Sequence, residues 1–189
     1  MVITVDQLKE LPIAPPNLHI KQVIVDFKKI EVVAIVFGKA RLFGKSRLVN
    51  FADIRVESSE KGIILPSSAM STTDYMDHQR FGDLTDYSVF TERKRYLGKL
   101  VTYKVDMDSA KITALWVKPP LALRDLWRQI LLIGRSQIVQ ITPEAIIVDE
   151  AVIKSALKAS TVAELGREAE AQALGAASPS ALESNNPNG

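Results

Sequence analysis

The sequence contains no cysteine, which excludes a disulfide framework, a thiolate metal site and a cysteine nucleophile. Long hydrophobic runs are also missing, since a stretch such as VVAIVF is far shorter than the roughly 20 residues that span a bilayer. The opening residues, MVITVDQLKELP, have neither the basic region nor the apolar core of a secretory signal. These absences favour a cytoplasmic protein, either free in solution or peripheral to a membrane.

Charge is nearly balanced but unevenly distributed along the chain. The 24 Lys and Arg and 22 Asp and Glu give a formal net charge of +2. Residues 1–142 hold 21 of the basic and 15 of the acidic residues, whereas residues 143–189 hold 3 and 7. The body is therefore mildly basic and the tail acidic. A net charge of +6 on the body is a weak signal for nucleic-acid binding, because a dense basic patch is expected there.

The strongest pattern in the sequence is an internal repeat with an offset of 80 residues. The stretch QVIVDFKKIEVVAIVF, residues 22–37, aligns with TYKVDMDSAKITALWV, residues 102–117. In each stretch two runs of alternating apolar residues flank a short polar turn, a pattern that predicts a β-hairpin. Two copies of a unit of this size favour two small domains over one larger domain.

Turn-forming stretches and composition divide the chain further. We predict a first domain over residues 1–70, a connection over 71–83, a second domain over 84–153, a C-terminal helix over 154–175 and a disordered tail over 176–189. Thr4 is the candidate N-cap of a short turn, which the prolines that follow prevent from growing into a long helix. Besides the hairpins, strands are predicted over 47–56, 61–66, 135–141 and 145–150.

The second copy carries a resemblance to a known family. VFTERKRYLGKLVTYKVDMDSAKITALWV and SQIVQITPEAIIVDEAV resemble the opening and closing patterns of the PRC-barrel family. These small β-barrels are related to the cytoplasmic part of the photosynthetic reaction-centre H subunit and to the C-terminal domain of ribosome-maturation factors. The first copy matches over residues 21–66, but Asn17-Leu18-His19 stands where the second copy has Leu97-Gly98-Lys99. The resemblance implies a mainly β fold of two tandem small PRC-type β-barrels followed by a C-terminal α-helix.

Motifs for catalysis or for metal binding are weak. The segment GKARLFGKS has five residues between its glycines, whereas a phosphate-binding P-loop needs four. Asp74, Asp77 and His78 form the one local cluster of metal-ligand types, and a protein site normally needs further ligands from elsewhere. We therefore assign no catalytic, metal-binding or cofactor-binding residue, and we expect no cofactor.

Two loops that follow equivalent strands combine apolar and basic residues. In the first, Leu42 and Phe43 lie among basic side chains. In the second, a helix over 123–132 would place Leu123, Leu126, Trp127 and Ile130 on one face. The predicted partner-binding residues are Leu42, Phe43, Lys45, Arg47, Leu123, Arg124, Trp127 and Arg128. The alternative is that the second loop closes its own barrel.

The resemblance and the loops together predict a non-enzymatic adaptor or assembly module. It would dock on a larger protein complex, such as a photosynthetic or other membrane-associated complex, because an apolar patch ringed by positive charge suits an acidic protein groove or an anionic surface. The alternative function is a factor associated with the ribosome or with RNA processing, which the basic body and the ribosome-maturation relatives suggest. The sequence leaves the partner and the oligomeric state open.

Overall fold

The computed structural model describes residues 1–14, 16–39, 46–58, 62–65, 77–121 and 130–155. Strands make up 56% of this part of the chain and helices 15%, so the mainly β fold is confirmed. The first half contains β1 (Val2–Thr4), α1 (Val5–Glu10), β2 (Ile13–Ala14), β3 (Leu18–Asp26), β4 (Glu31–Lys39), β5 (Arg47–Asn50), β6 (Arg55–Ser58) and β7 (Gly62–Ile64). The second half contains β8 (Phe81–Gly82), β9 (Ser88–Thr91), β10 (Tyr96–Asp106), β11 (Ile112–Lys118), β12 (Leu131–Gly134), β13 (Ile138–Ile141) and β14 (Ala145–Val148).

Local sequence explains the short helix α1. The Thr4 hydroxyl accepts a hydrogen bond from the Gln7 N–H (3.1 Å), and the Gln7 side chain accepts one from the Thr4 N–H (2.9 Å). This reciprocal capping satisfies two of the free donors at the helix start, so the predicted N-cap is confirmed. Val5 and Leu8 bury one side of the helix, which ends at Glu10, two residues before Pro12.

The strands of the two halves follow the same order. In the second half the order is β12-β11-β10-β9-β14-β13, with β1 added to β10. The first half has β5-β4-β3, with β8 of the second half added to β3, and, separately, β2-β7-β6. The break falls between β2 and β3, where Pro16 has no N–H and Asn17 has a positive φ of 74°. Among the described residues no pairing joins β12 to β13, so no closed barrel is seen.

The two predicted hairpins are confirmed, and their registers agree at the offset of 80. Ile20 pairs with Phe37 on β3 and β4, just as Leu100 pairs with Val117 on β10 and β11. Each hairpin contains two register shifts, and these also fall at corresponding positions. The repeat therefore extends to the bulges, which are local irregularities that alternation alone does not specify.

Two of the predicted strands are interrupted at equivalent places. A 3-10 turn at Phe51–Asp53 divides the strand predicted over 47–56 into β5 and β6. Another, at Arg135–Gln137, occupies the start of the strand predicted over 135–141. Both predictions were too long because each chain segment turns a corner between two strand pairs. The Gln137 side chain holds the second corner by accepting a hydrogen bond from the Gly134 N–H (2.9 Å).

Each half begins with a strand that pairs with the other half. β1 pairs with β10, and β8 pairs with β3. The residue before each of these strands also accepts a hydrogen bond through its backbone carbonyl. The Met107 N–H donates to the Met1 carbonyl and the Phe27 N–H donates to the Arg80 carbonyl, each at 2.8 Å. Residues 81–82, which the sequence placed in the connection, thus belong to a sheet, and one core cluster contains buried side chains of both halves. The domain boundaries themselves stay a prediction.

The turns of the two hairpins meet in a reciprocal contact. Val32 N–H donates to the Ala110 carbonyl at 2.8 Å. The equivalent Ile112 N–H donates to the Ile30 carbonyl at 3.2 Å. Between these bonds, residues 31 and 111 form an antiparallel bridge. The two hairpins are therefore related by an approximate two-fold axis that passes close to this bridge.

After β14 the chain turns into a helix at residues 151–155, and Val152 packs into the core. The predicted C-terminal helix over 154–175 lies almost entirely outside the described residues, as does the predicted tail, and both stay predictions.

Candidate docking surfaces

The loops predicted to bind a partner leave from equivalent strand ends. Phe37 pairs with Arg47 at the end of β4 and β5, and Val117 pairs with Leu131 at the end of β11 and β12. β4 runs for nine residues from the axis to Lys39, a distance of about 26 Å at the usual rise per residue. The two strand ends that carry the loops thus lie on opposite sides of the two-fold axis and away from it.

Only one of the eight predicted partner-binding residues is described. Arg47 is exposed on β5. The other seven lie outside the described residues, and their role stays a prediction: Leu42, Phe43, Lys45, Leu123, Arg124, Trp127 and Arg128. The described part of the first strand end is basic, because Lys21 and Lys39 are also exposed there. The Lys21 ammonium donates a hydrogen bond to the Ser46 hydroxyl (3.4 Å).

The second strand end corrects one expectation. A helix over 123–132 is wrong at its C-terminal end, because Leu131–Gly134 forms β12. Leu131 pairs with Val117 and is buried in the core, so it cannot belong to an exposed helix face. The apolar residues that remain exposed next to this loop are Leu121 before it and Ile130 after it.

A second surface was missed by sequence reasoning. Trp116 on β11 lies directly between Leu132 on β12 and Thr102 on β10, on the side of the sheet that faces away from the core. The Lys104 ammonium lies 5.0 Å from the centre of the Trp116 ring, within range of a cation–π contact. The signal was present in the alternation of β11, where buried Leu115 and Val117 flank Trp116.

Buried polar side chains in the described part have structural roles. Asp26 accepts hydrogen bonds from the N–H groups of Lys28 (3.0 Å) and Lys29 (3.2 Å) and from the Arg80 guanidinium (2.8 and 3.1 Å). Burial alone would raise the pKa of Asp26, but these hydrogen bonds outweigh it and hold the pKa below its usual value. Asp26 is therefore ionised and engaged in the turn rather than poised to exchange a proton.

The position equivalent to Asp26 in the other hairpin is Asp106. Its carboxylate accepts hydrogen bonds from the Asp108 N–H (3.2 Å) and the Ser109 hydroxyl (2.7 Å). The Met1 ammonium lies 3.7 Å away. The hydrogen bond from Ser109 is the main cause that lowers the pKa of Asp106. Each hairpin thus has an aspartate at the equivalent position that closes the turn, with a cation beside it.

Tyr103 is a core residue rather than a catalytic acid. Burial raises the pKa of its hydroxyl well above the ordinary value, so it is neutral throughout the physiological range. The hydroxyl has no hydrogen-bond partner in the part of the chain that the structure describes.

The candidate metal cluster is only partly described. Asp77 and His78 are exposed, and the Asp77 carboxylate accepts a hydrogen bond from the Gln79 N–H (3.0 Å). Asp74 lies outside the described residues, and within them no three such side chains are grouped to hold a metal ion.

No protein-family model matches the chain, and a search of curated proteins finds no similar sequence. The resemblance to the PRC-barrel family therefore rests on the sequence patterns quoted above. In the residues that the structure describes, no helix is both long enough and apolar enough to cross a membrane.

Proposed function

We propose that this protein is a non-enzymatic adaptor of two tandem PRC-type β-barrel units that docks on a larger protein complex. The observation that supports the proposal is the duplicated hairpin with its shared register. The two apolar and basic segments predicted from the sequence follow equivalent strand ends of that repeat. The proposed setting is cytoplasmic, at a photosynthetic or other membrane-associated complex.

Duplication supports a binding role for a physical reason. Two binding loops on one rigid core act as a bivalent ligand, so the second contact forms at a high effective concentration once the first is made. The shared core and the exchanged β1 and β8 hold the two strand ends in a fixed relation. An adaptor gains affinity from such rigidity because less freedom is lost on binding.

The polar interior of the described residues supports the same reading. The buried charged residue Asp26 is committed to a turn and to Arg80. The hydroxyl of the other buried polar residue, Thr91, accepts a hydrogen bond from the Arg95 N–H (3.3 Å). Groups held in this way stabilise turns, whereas a catalytic acid or base must be free to reach a substrate.

The test is an affinity capture from separately prepared soluble and membrane fractions. The bait is the full chain, with Phe43→Ser, Trp127→Ser and the double variant alongside. We expect each single variant to weaken capture of the same partner complex and the double variant to abolish it. Val139→Ser is the matched control, because Val139 is an exposed aliphatic residue on β13, which pairs with β14 and not with a strand that flanks either loop. Unchanged capture by the double variant would refute the proposal that these two loops bind the partner.

The second candidate is a factor associated with the ribosome or with RNA processing. Its specific support is the β9–β10 turn, where Arg93, Lys94 and Tyr96 are all exposed. Basic side chains next to an aromatic ring suit a phosphate and a stacked base. This function predicts binding to RNA that weakens steeply as salt rises, because each neutralised phosphate releases counterions. Retention on RNA that is insensitive to salt, or absent at low salt, would count against it.

A further inference from the structure

The outer side of β10, β11 and β12 forms a continuous surface, which we call the Trp116 face. Its members point away from the core: Lys99, Val101, Thr102, Lys104, Trp116, Lys118 and Leu132. The apolar side chains lie in the middle. Leu132 is 58% exposed beside Trp116, and Val101 is exposed at the bulge of β10.

The other half of the chain shows that the fold does not require this surface. Val36 pairs with Leu48 in the first half as Trp116 pairs with Leu132 in the second. Leu48 is only 5% exposed, whereas Leu132 is mostly exposed. At the offset of 80, Lys21 stands where the second half has Val101. The second half therefore exposes a larger apolar surface at these positions, whereas the first half forms the equivalent strand pairs without exposing one.

The charges on the Trp116 face are all of one sign. Lys99 pairs directly with Lys118 across the two strands, an arrangement of like charges that destabilises a sheet. The Lys99 ammonium donates to the Asp86 backbone carbonyl (3.0 Å), which supplies no negative charge. Asp106, at the far end of β10, is the only acidic residue in these three strands. Lys99, Lys104 and Lys118 make no ion pair with any other described residue.

We propose that the Trp116 face binds an acidic segment of a partner protein. An apolar side chain of that segment would pack on Trp116 and Leu132, and its carboxylates would meet the three lysines. An apolar centre with a polar rim is the usual composition of a protein interface, and carboxylates complement a rim of lysines. A protein segment fits better than a lipid surface, because binding to a lipid interface scales with the apolar area that inserts, and Val101 and Leu132 are the exposed apolar residues of this face.

The Trp116 face and the two docking loops consist of different residues, so the two proposals can be tested apart. Trp116 and Trp127 are the only tryptophans, and they give two indole N–H signals in an NMR spectrum of the full chain. The variant Trp116→Phe assigns them. The probe is a 12-residue peptide in which glutamate alternates with leucine, and the control peptide has lysine in place of glutamate. Vesicles of phosphatidylglycerol test the lipid alternative.

We expect the acidic peptide to shift the Trp116 signal and the lysine peptide to leave it unchanged. Leu132→Ser should weaken binding about tenfold through lost apolar contact, and Lys104→Gln about threefold through one exposed ion pair. Val139→Ser should bind like the unaltered chain. Thermal unfolding of each variant checks that the fold is kept.

Three outcomes would overturn the proposal. In the first, the acidic peptide shifts neither signal at low salt. In the second, it shifts only the Trp127 signal, which would support the docking loop and not the Trp116 face. In the third, vesicles shift the Trp116 signal and the acidic peptide does not. A different result would refute only the docking loops: the acidic peptide binds the Trp116 face, but the chain with intact loops captures no partner complex.

Discussion

The two equivalent aspartates allow a test of how burial governs an ion pair. Asp26 is 1% exposed, and its carboxylate receives the Arg80 guanidinium together with two backbone N–H groups. Asp106 closes the equivalent turn, but its side chain is 27% exposed. The substitutions Asp26→Asn and Asp106→Asn keep the size of each side chain and one acceptor oxygen, so they remove mainly the charge.

The expected cost differs between the two positions. A hydrogen bond to a charged group contributes about 1.5–3 kcal/mol, but Arg80 is 41% exposed and water can solvate it once the charge of Asp26 is gone. We therefore expect Asp26→Asn to lower the free energy of unfolding by about 1–2 kcal/mol. Asp106→Asn should lower it much less, because water already screens that carboxylate.

Denaturant unfolding of the full chain measures both values, and its pH dependence tests the cause. The pKa of Asp26 lies below its usual value in the folded protein, so its contribution is complete above the unfolded-state pKa and is lost as pH falls through the folded-state pKa. The difference between the unaltered chain and Asp26→Asn should be constant near neutral pH and shrink below about pH 4. Equal losses for the two variants, or a difference that persists in acid, would refute the reasoning.

Two backbone positions make further predictions. Gly98→Ala should lower the free energy of unfolding by about 3 kcal/mol or more, because Gly98 has a φ of 138° and a Cβ atom there would lie 2.0 Å from the Lys118 carbonyl oxygen. Gly134→Ala is the control, since a Cβ atom there would lie 3.7 Å from the Gln137 Oε1 atom, an ordinary contact distance. A loss comparable to that of Gly98→Ala would contradict the steric explanation. Ala110→Gly should raise the free energy of unfolding by about 0.5–1 kcal/mol, and the thermal midpoint with it, because Ala110 has a φ of 60°. Calorimetry measures this change, and a lowered midpoint would show that positive φ costs little at that turn.

Local patterns predicted local structure well. Alternating apolar residues predicted both hairpins, and the spacing of Thr4 and Gln7 produced the capped start of α1. The misplaced helix end at Leu131 has a plain cause. A short apolar run such as LLIG is compatible with either a helix or a strand, and only its pairing with β11 selects the strand. The candidate docking loops depend on residues that local patterns name but do not position.

Neighbouring residues alone specify the repeat, the turns that contain Asp26 and Asp106, and which side chains on each strand share a face, so these features can be predicted from local patterns. The folded chain adds what local patterns cannot supply: β1 pairs with β10, β8 pairs with β3, and the hairpin turns meet near a two-fold axis. Such pairings join segments far apart in the chain, and no local periodicity encodes their partner. The same holds for Leu48 and Leu132, which occupy equivalent rungs but differ in exposure, because burial depends on what packs against a face.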